Sequence, residues 1–232
     1  TVEEDGDGFI NFVYRVSDGE HHLIVKQSTL EARSKGSFTL DLNRYKLEYD
    51  AMKICAAIVP DLIPKLYDCD EENRVFITED VSYLRISRFQ LLKGVTYPKL
   101  ADQIARYMAA TQFYTSEYYL DTKRFRDLSV HFMNTTMRKI MEVGMFLTSV
   151  TPEDTVGRPL DPEFITFSKR ICADPAVLLA RQKLRHLFMS KGECLIHCDL
   201  HTSNIFASQT EAKVIDMEYS FFGPFAYDMG YF

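Results

Sequence analysis

The chain has 232 residues, 46% of them hydrophobic, and a formal net charge of −6 at neutral pH. That is enough apolar chain to bury roughly 70% of its unfolded surface, in one or two domains. The acidic balance excludes the broad positive field that nucleic acid would require. No apolar run reaches the roughly eighteen residues of a membrane span, and the opening "TVEEDGDGF" is too acidic for a signal peptide. Cys55, Cys69, Cys172, Cys194 and Cys198 are odd in number and scattered. They read as unpaired cytosolic thiols rather than as a disulfide framework.

The first third predicts sheet. "FINFVYRV" at 9–16 is rich in β-branched and aromatic residues, "SDGE" at 17–20 is a turn, and "HHLIVKQ" at 21–27 is the returning strand. Strand alternation puts Leu23 and Val25 on one face and Ile24 with Lys26 on the other. A helix follows, with Asp41 or Asn43 as cap and Pro60 near its end. Its apolar stripe is Leu42, Tyr45, Tyr49, Met52, Ala56 and Val59, with Glu48 on the flank. "RVFITED" at 74–80 is the next strand.

The chain then turns helical. Residues 97–119 predict one long helix, opened by Pro98 and carrying Leu100, Ile104 and Met108 on one side. "KRFR" at 123–126 reads as a solvated helix end. Further helices are expected at 127–147 and 175–190, with loop or broken helix between them around Pro152, Gly157, Pro159 and Pro162. Short strands are expected at 194–198, 204–207 and 212–216. The fold class is therefore α+β, with a strand-rich lobe over 1–80 and a mainly helical lobe over 81–232. A ligand cleft between two such lobes is the expected arrangement.

Three groups of polar residues carry chemistry. The two glycines of "DGDGFINFVY" at 5–14 form a turn able to offer backbone N–H groups to phosphate, although neither a P-loop nor a Rossmann fingerprint is present. Lys26, in an interior strand, needs a partner, and Glu48 is available. A Lys–Glu pair beneath a phosphate turn is the arrangement of phosphoryl-transfer enzymes. In the second half, "HCDLHTSN" sets Asp199 five residues before Asn204, and "KVIDMEYS" ends a strand on Asp216 and Glu218. Two carboxylates with a nearby amide oxygen make a hard oxygen site suited to magnesium. Asp199 is then the acid able to hold a substrate hydroxyl. Cys194, His197, Cys198 and His201 lie close together but lack the two-pair spacing of a structural zinc site.

These motifs resemble the protein-kinase-like superfamily, in its small-molecule kinase branch, and within it the 5-methylthioribose kinase family. That family reads His-Gly-Asp-Leu-His-Thr-Gly-Ser, then Ile-Asp-Pro-Glu-Phe, a Gly-Pro and an Asp-Ile-Gly. Here the chain has "HCDLHTSNI" at 197–205, "VIDMEYSFFGP" at 214–224 and "YDMG" at 227–230. "DGDGFINFVYRV" resembles the family's glycine loop and "LIVKQS" its lysine strand. The resemblance thus runs from one end of the chain to the other.

The resemblance implies ATP-dependent phosphorylation of the anomeric hydroxyl of 5-methylthioribose, giving the sugar 1-phosphate, in methionine salvage. It implies Asp199 as the catalytic aspartate and ATP contacts from Gly6, Gly8, Asn11 and Lys26. Glu48 would anchor Lys26, and the hinge at Glu79 and Val81 would read adenine. Asp216 and Glu218 would hold Mg²⁺, and Asn204 matches the superfamily amide that helps bind it. The expected partners are a small hydroxyl substrate and, in a homodimer, a second copy of the chain, with no nucleic acid and no membrane, in the cytoplasm. The alternatives are a kinase for choline, an aminoglycoside or another hydroxyl compound, and a nucleotide-binding scaffold without transferase activity. Cys198 replaces the family's glycine, Ser203-Asn204 its Gly-Ser, and Met217 its proline. The family continues past the "DMGYF" at which this chain stops, and its ribose-binding arginine pair has no counterpart after residue 218, so a truncated chain is expected.

Overall fold

The computed structural model describes residues 1–4, 11–29, 40–147 and 161–232. Its first part is a five-stranded antiparallel sheet in the order β1-β2-β3-β5-β4. The strands are β1 (Val2–Glu4), β2 (Phe12–Ser17), β3 (His22–Gln27), β4 (Leu66–Asp70) and β5 (Val75–Glu79). β3 is the central strand, and its Lys26 lies between Val13 of β2 and Phe76 of β5. β1 and β4 were not predicted. β4 reads "LYDCD", whose acids obscure the strand alternation.

Helix α1 (Arg44–Ile58) crosses beside this sheet and stops two residues before Pro60. Asn43 occupies its N-cap position but makes no side-chain cap bond. Asp41 instead accepts the Asn43 N–H at 2.8 Å, a local turn leading into the helix. The buried face is Arg44, Tyr45, Glu48, Ala51, Met52 and Cys55. Tyr45 and Met52 belong to the predicted stripe, whereas Tyr49 and Ala56 lie at its margin. The stripe is rotated because Arg44 and Glu48 are drawn inside by charged partners, which an apolar periodicity cannot register.

β6 (Arg85–Ile86) and α2 (Ser87–Leu91) lead to α3 (Leu100–Thr115). α3 is shorter than predicted, and Pro98 precedes it rather than opening it. Where one helix was expected over 127–147, the chain forms α4 (Thr122–His131) and α5 (Thr135–Glu142), continued by a π-turn over Val143–Leu147. The break falls at Asn134, whose φ is 41°. Its amide donates to the Glu218 and Ser220 carbonyls at 2.8 and 2.9 Å. "KRFR" lies in the first turns of α4, with Lys123 exposed and Phe125 buried. Pro162 opens a further helix, α6 (Pro162–Ala173), capped by Asp161, so that part of the expected loop is helical. Pro152, Gly157 and Pro159 lie outside the described residues. α7 (Pro175–Ser190) has the predicted bounds and is capped by Asp174.

Four short strands complete the second part. β7 (Cys194–Ile196) pairs with β10 (Phe221–Gly223), and β8 (Ile205–Ala207) lies between β6 and β9 (Ala212–Val214). β7 and β9 each end two residues earlier than predicted. Cys198 and Asp216, the residues at which the strands were expected to end, have φ of 69° and 67°. This left-handed region favours glycine. A terminal helix, α8 (Ala226–Tyr231), closes the chain. One apolar core runs through both parts, joining Met52, Leu62 and Phe76 to Ile104, Leu200, Ile205 and Met217. A second lies under α5 and α7, around Met137, Phe188, Ile196 and Phe221.

Candidate active site

The site forms where β3, α1 and the loops after β7 and β9 meet. The Lys26 ammonium lies 2.7 Å from Glu48 Oε1 and also bonds Asp216, 190 residues away in sequence. Glu218, two positions beyond Asp216, is buried. Its Oε2 accepts from Asn11 Nδ2 at 2.8 Å and lies 3.3 Å from Arg44 Nε. Two cations, Lys26 and Arg44, therefore face three carboxylates, Glu48, Asp216 and Glu218.

The electrostatics follow from that imbalance in a buried place. Burial works against the Lys26 ammonium, but Asp216, Glu48 and Glu218 outweigh it and hold the group protonated well above the ordinary lysine range. Burial raises Glu48 to about 8 despite the pull of Lys26. Burial and the Asp216 charge raise Glu218 to about 7. Asp216 goes the other way. Burial opposes its ionisation, yet the Lys26 ammonium keeps its carboxyl below the usual range.

Candidate oxygens of Glu48, Asp216 and Glu218 lie within 4.8 Å of one another. Glu48 Oε2 is buried and has no hydrogen-bond partner among the described residues. Clustered hard oxygens short of positive charge fit a divalent cation such as Mg²⁺. Asn204 is tied to Asp199: its Nδ2 donates to the Asp199 carbonyl at 3.0 Å and to Asp199 Oδ2 at 3.2 Å.

Asp199 lies in the loop between β7 and β8, partly open to solvent. Besides Asn204, it accepts from the Tyr231 hydroxyl at 3.0 Å through Oδ1. The loop is held from below by Asp228 of α8, whose carboxylate accepts the N–H groups of His197 and Cys198 at 2.8 and 2.9 Å. His197 faces the Ile215 carbonyl through Nε2 at 2.9 Å and takes the Asp199 N–H on Nδ1 at 3.2 Å, which assigns its proton to Nε2. This imidazole joins the Asp199 loop to the strand end that carries Asp216. Cys198, buried at a left-handed φ, occupies the position where the resembled family has glycine. Asp228 falls in the "YDMG" motif, but neither it nor Asn134 or Arg44 carries a sequence signal for its role. Only their contacts reveal them.

The remaining predicted residues are distributed as follows. Gly6 and Gly8 lie outside the described residues. Asn11 is buried, with its side chain turned inward to Glu218 and Arg44. Glu79 ends β5, its carboxylate accepting the Lys65 N–H at 3.0 Å and standing 3.7 Å from Lys213 Nζ. Val81 is buried, and its carbonyl accepts the Leu84 N–H at 2.9 Å.

This two-part α+β arrangement is a protein-kinase-like fold. Solved structures with the same chain path include choline kinase LicA from Streptococcus pneumoniae, at TM-score 0.53 and 16% identity, covering 100% of this chain and 68% of that one. Aminoglycoside phosphotransferase APH(4)-Ia matches at TM-score 0.51 and 12% identity, covering 98% and 69%. Residues 155–232 also match the phosphotransferase enzyme family.

In sequence, the chain has homologues named methylthioribose kinase. It is 38% identical over 230 residues to the one from Bacillus cereus (strain ATCC 10987 / NRS 248). It is 37% identical to that from Bacillus thuringiensis (strain Al Hakam). Each alignment covers 99% of this chain and 58% of the relative, so the chain spans somewhat over half the length of these proteins.

Proposed function

We propose that the chain is the nucleotide- and base-bearing part of an ATP-dependent methylthioribose kinase, transferring the γ-phosphoryl group to the sugar's anomeric hydroxyl. The observation that carries this is the convergence of Lys26, Glu48, Asp216 and Glu218 on one partly buried point, together with an independently held Asp199. The 38% identity to a methylthioribose kinase supports the sugar as acceptor over choline or an aminoglycoside. The lobe boundary falls near residue 80, and adenine binds at Glu79–Val81. The Val81 N–H, which has no partner among the described residues, is available to a ring nitrogen. A kinase of this kind works in the cytoplasm, where ATP is supplied.

In this reading Lys26, already held between two acids, takes the nucleotide phosphates as its third anion. Glu48 keeps the ammonium aimed into the site. Asp216 and Glu218 hold Mg²⁺, which when bound neutralises phosphate charge. Asn204 keeps Asp199 oriented from one side and Tyr231 from the other. Asp199 accepts the acceptor hydroxyl's proton as that oxygen attacks in line. Titration calorimetry with ATP, with and without Mg²⁺, tests the nucleotide half, and a folded sample that binds in neither condition refutes it. The acceptor is tested by comparing kcat/KM for methylthioribose, choline and an aminoglycoside in the longest natural form of the protein. A higher value for either competitor refutes the sugar.

A further inference from the structure

We propose that Arg44 is a positioning residue for Glu218: with Asn11 it clamps one carboxylate oxygen and leaves the other to the metal–nucleotide complex. The proposal rests on the nucleotide-site reading above. Arg44 lies in the first turn of α1, where it is fully buried. Burying a guanidinium is costly unless its donors are met, and here the contacts span distant parts of the chain. Nη1 donates to the Thr29 carbonyl at 2.6 Å and to the Asp41 carbonyl at 3.0 Å. Nη2 and Nε reach Asn11 Oδ1 at 2.8 and 3.2 Å, and Nε also lies 3.3 Å from Glu218 Oε2.

Asn11 acts as the relay. Its oxygen collects Arg44 and the Ser28 hydroxyl, the latter at 3.2 Å, which fixes which way the amide points. Its NH₂ is then directed at Glu218 Oε2, 2.8 Å away. Both donors thus converge on Oε2, and Glu218 Oε1 takes no donor among the described residues. A planar guanidinium fork can serve a backbone, an amide and a carboxylate in one fixed geometry, whereas a lysine offers one point charge. Lys26 is already bonded to Glu48 and Asp216, so Arg44 is the cation in direct contact with Glu218. The same contacts join the start of β2, the start of α1 and the loop after β9. Metal-ligand orientation is thereby tied to the placement of α1, which also carries Glu48.

The test is the gain in ATP affinity on adding Mg²⁺, measured by calorimetry, with thermal unfolding in parallel to verify folding. Arg44→Met is expected to cut that gain by about 10–100-fold while metal-free ATP affinity stays within about twofold of wild type. Arg44→Lys should recover only part of the loss, because it restores the charge without the fork. Arg44→Met combined with Glu218→Gln should lose no more than Glu218→Gln alone, since the two act as one unit. A folded Arg44→Met with the full metal gain, or losses that add in the double variant, overturns the proposal. If Arg44→Met does not fold, Asn11→Ala opens the same clamp from its other side, and an undiminished metal gain there overturns it equally. A wild-type protein with no metal gain at all refutes the underlying nucleotide reading instead.

Discussion

The two halves of the site are built by different means. The Lys26 side is assembled from charges far apart in sequence: Lys26 and Asp216 are 190 residues apart, Asn11 and Glu218 207. The bonds to Asp216 and Glu218 need both lobes in place, whereas Lys26–Glu48 and Arg44–Asn11 lie within the first. The Asp199 side is largely local. Asn204 lies five residues away, the His197 contact two, and the anchoring Asp228 about thirty. Most of its bonds involve backbone groups, which hold a loop in one shape whatever the other lobe does. The difference teaches that the proposed base is set by its own loop, whereas the proposed phosphate and metal apparatus is complete only once the first sheet, α1 and the loop after β9 have closed on one another.

Breaking the long-range side should have the largest effect on the fold. Lys26→Met leaves Glu48 and Asp216 facing each other without their shared cation. Removing one partner of a buried pair costs about 3–5 kcal/mol, so a clear drop in denaturant midpoint is expected along with lost ATP affinity. An unchanged midpoint would mean that these charges are solvated and the comparison is wrong. Breaking the local side should spare the fold. Asp199→Asn is expected to lower turnover by about 10²-fold or more, with ATP affinity and Tm close to wild type. Near-normal turnover in a folded Asp199→Asn protein would remove the base from the mechanism.

A smaller perturbation sharpens the contrast by loading the frame beneath the Asp199 loop. At Gly223 in β10, an added Cβ would stand 2.5 Å from Ile196 Cδ1 and 3.0 Å from its Cγ1. Ile196 is itself buried in β7 and has little room to yield. Overpacking of this kind costs about 1–3 kcal/mol, so Gly223→Ala should lower Tm while leaving the Mg²⁺ gain in ATP affinity intact. If the gain falls with it, the two halves are coupled more tightly than their contacts imply.

The smallest effect concerns pH. Glu142 is buried between Lys139 at 2.9 Å and Arg185 at 2.7 Å, linking α5 to α7. The Lys139 hydrogen bond, seconded by Arg185 and opposed by burial, holds its carboxyl below the ordinary 4.5. A depressed folded value means the stabilisation is present above the unfolded value and fades as pH falls through the folded one. Both cations are substantially exposed, so the contribution is about 1 kcal/mol. Glu142→Gln should lose that amount near neutrality and show a flatter decline in stability below about pH 4.5. Parallel acid limbs for the two proteins would refute the assignment.

Much of this was legible in the sequence because it depends on local pattern. The β2–β3 hairpin, α7 and the short strands after residue 193 were expected from local pattern. Lys26, Glu48, Asp199, Asp216 and Glu218 could be singled out because a charge in an interior strand, or acids at a strand end, conflict with apolar surroundings. Other features had no local signal. The expected helix over 127–147 breaks at Asn134 because that amide answers two carbonyls of a loop more than eighty residues on. β7 and β9 stop short because Cys198 and Asp216 take left-handed backbone conformations.

The sequence by itself thus determined many of the elements and the kinds of chemistry available, since side-chain periodicity and residue type act over a few neighbours. Tertiary structure decided which polar groups meet. It rotated α1 so that Arg44 and Glu48 face inward, turned Asn11 toward Glu218 and set Asp228 under the Asp199 loop. The physical reason is that a buried charge or amide must find its partner wherever the folded chain brings one, and no local pattern encodes a partner two hundred residues away.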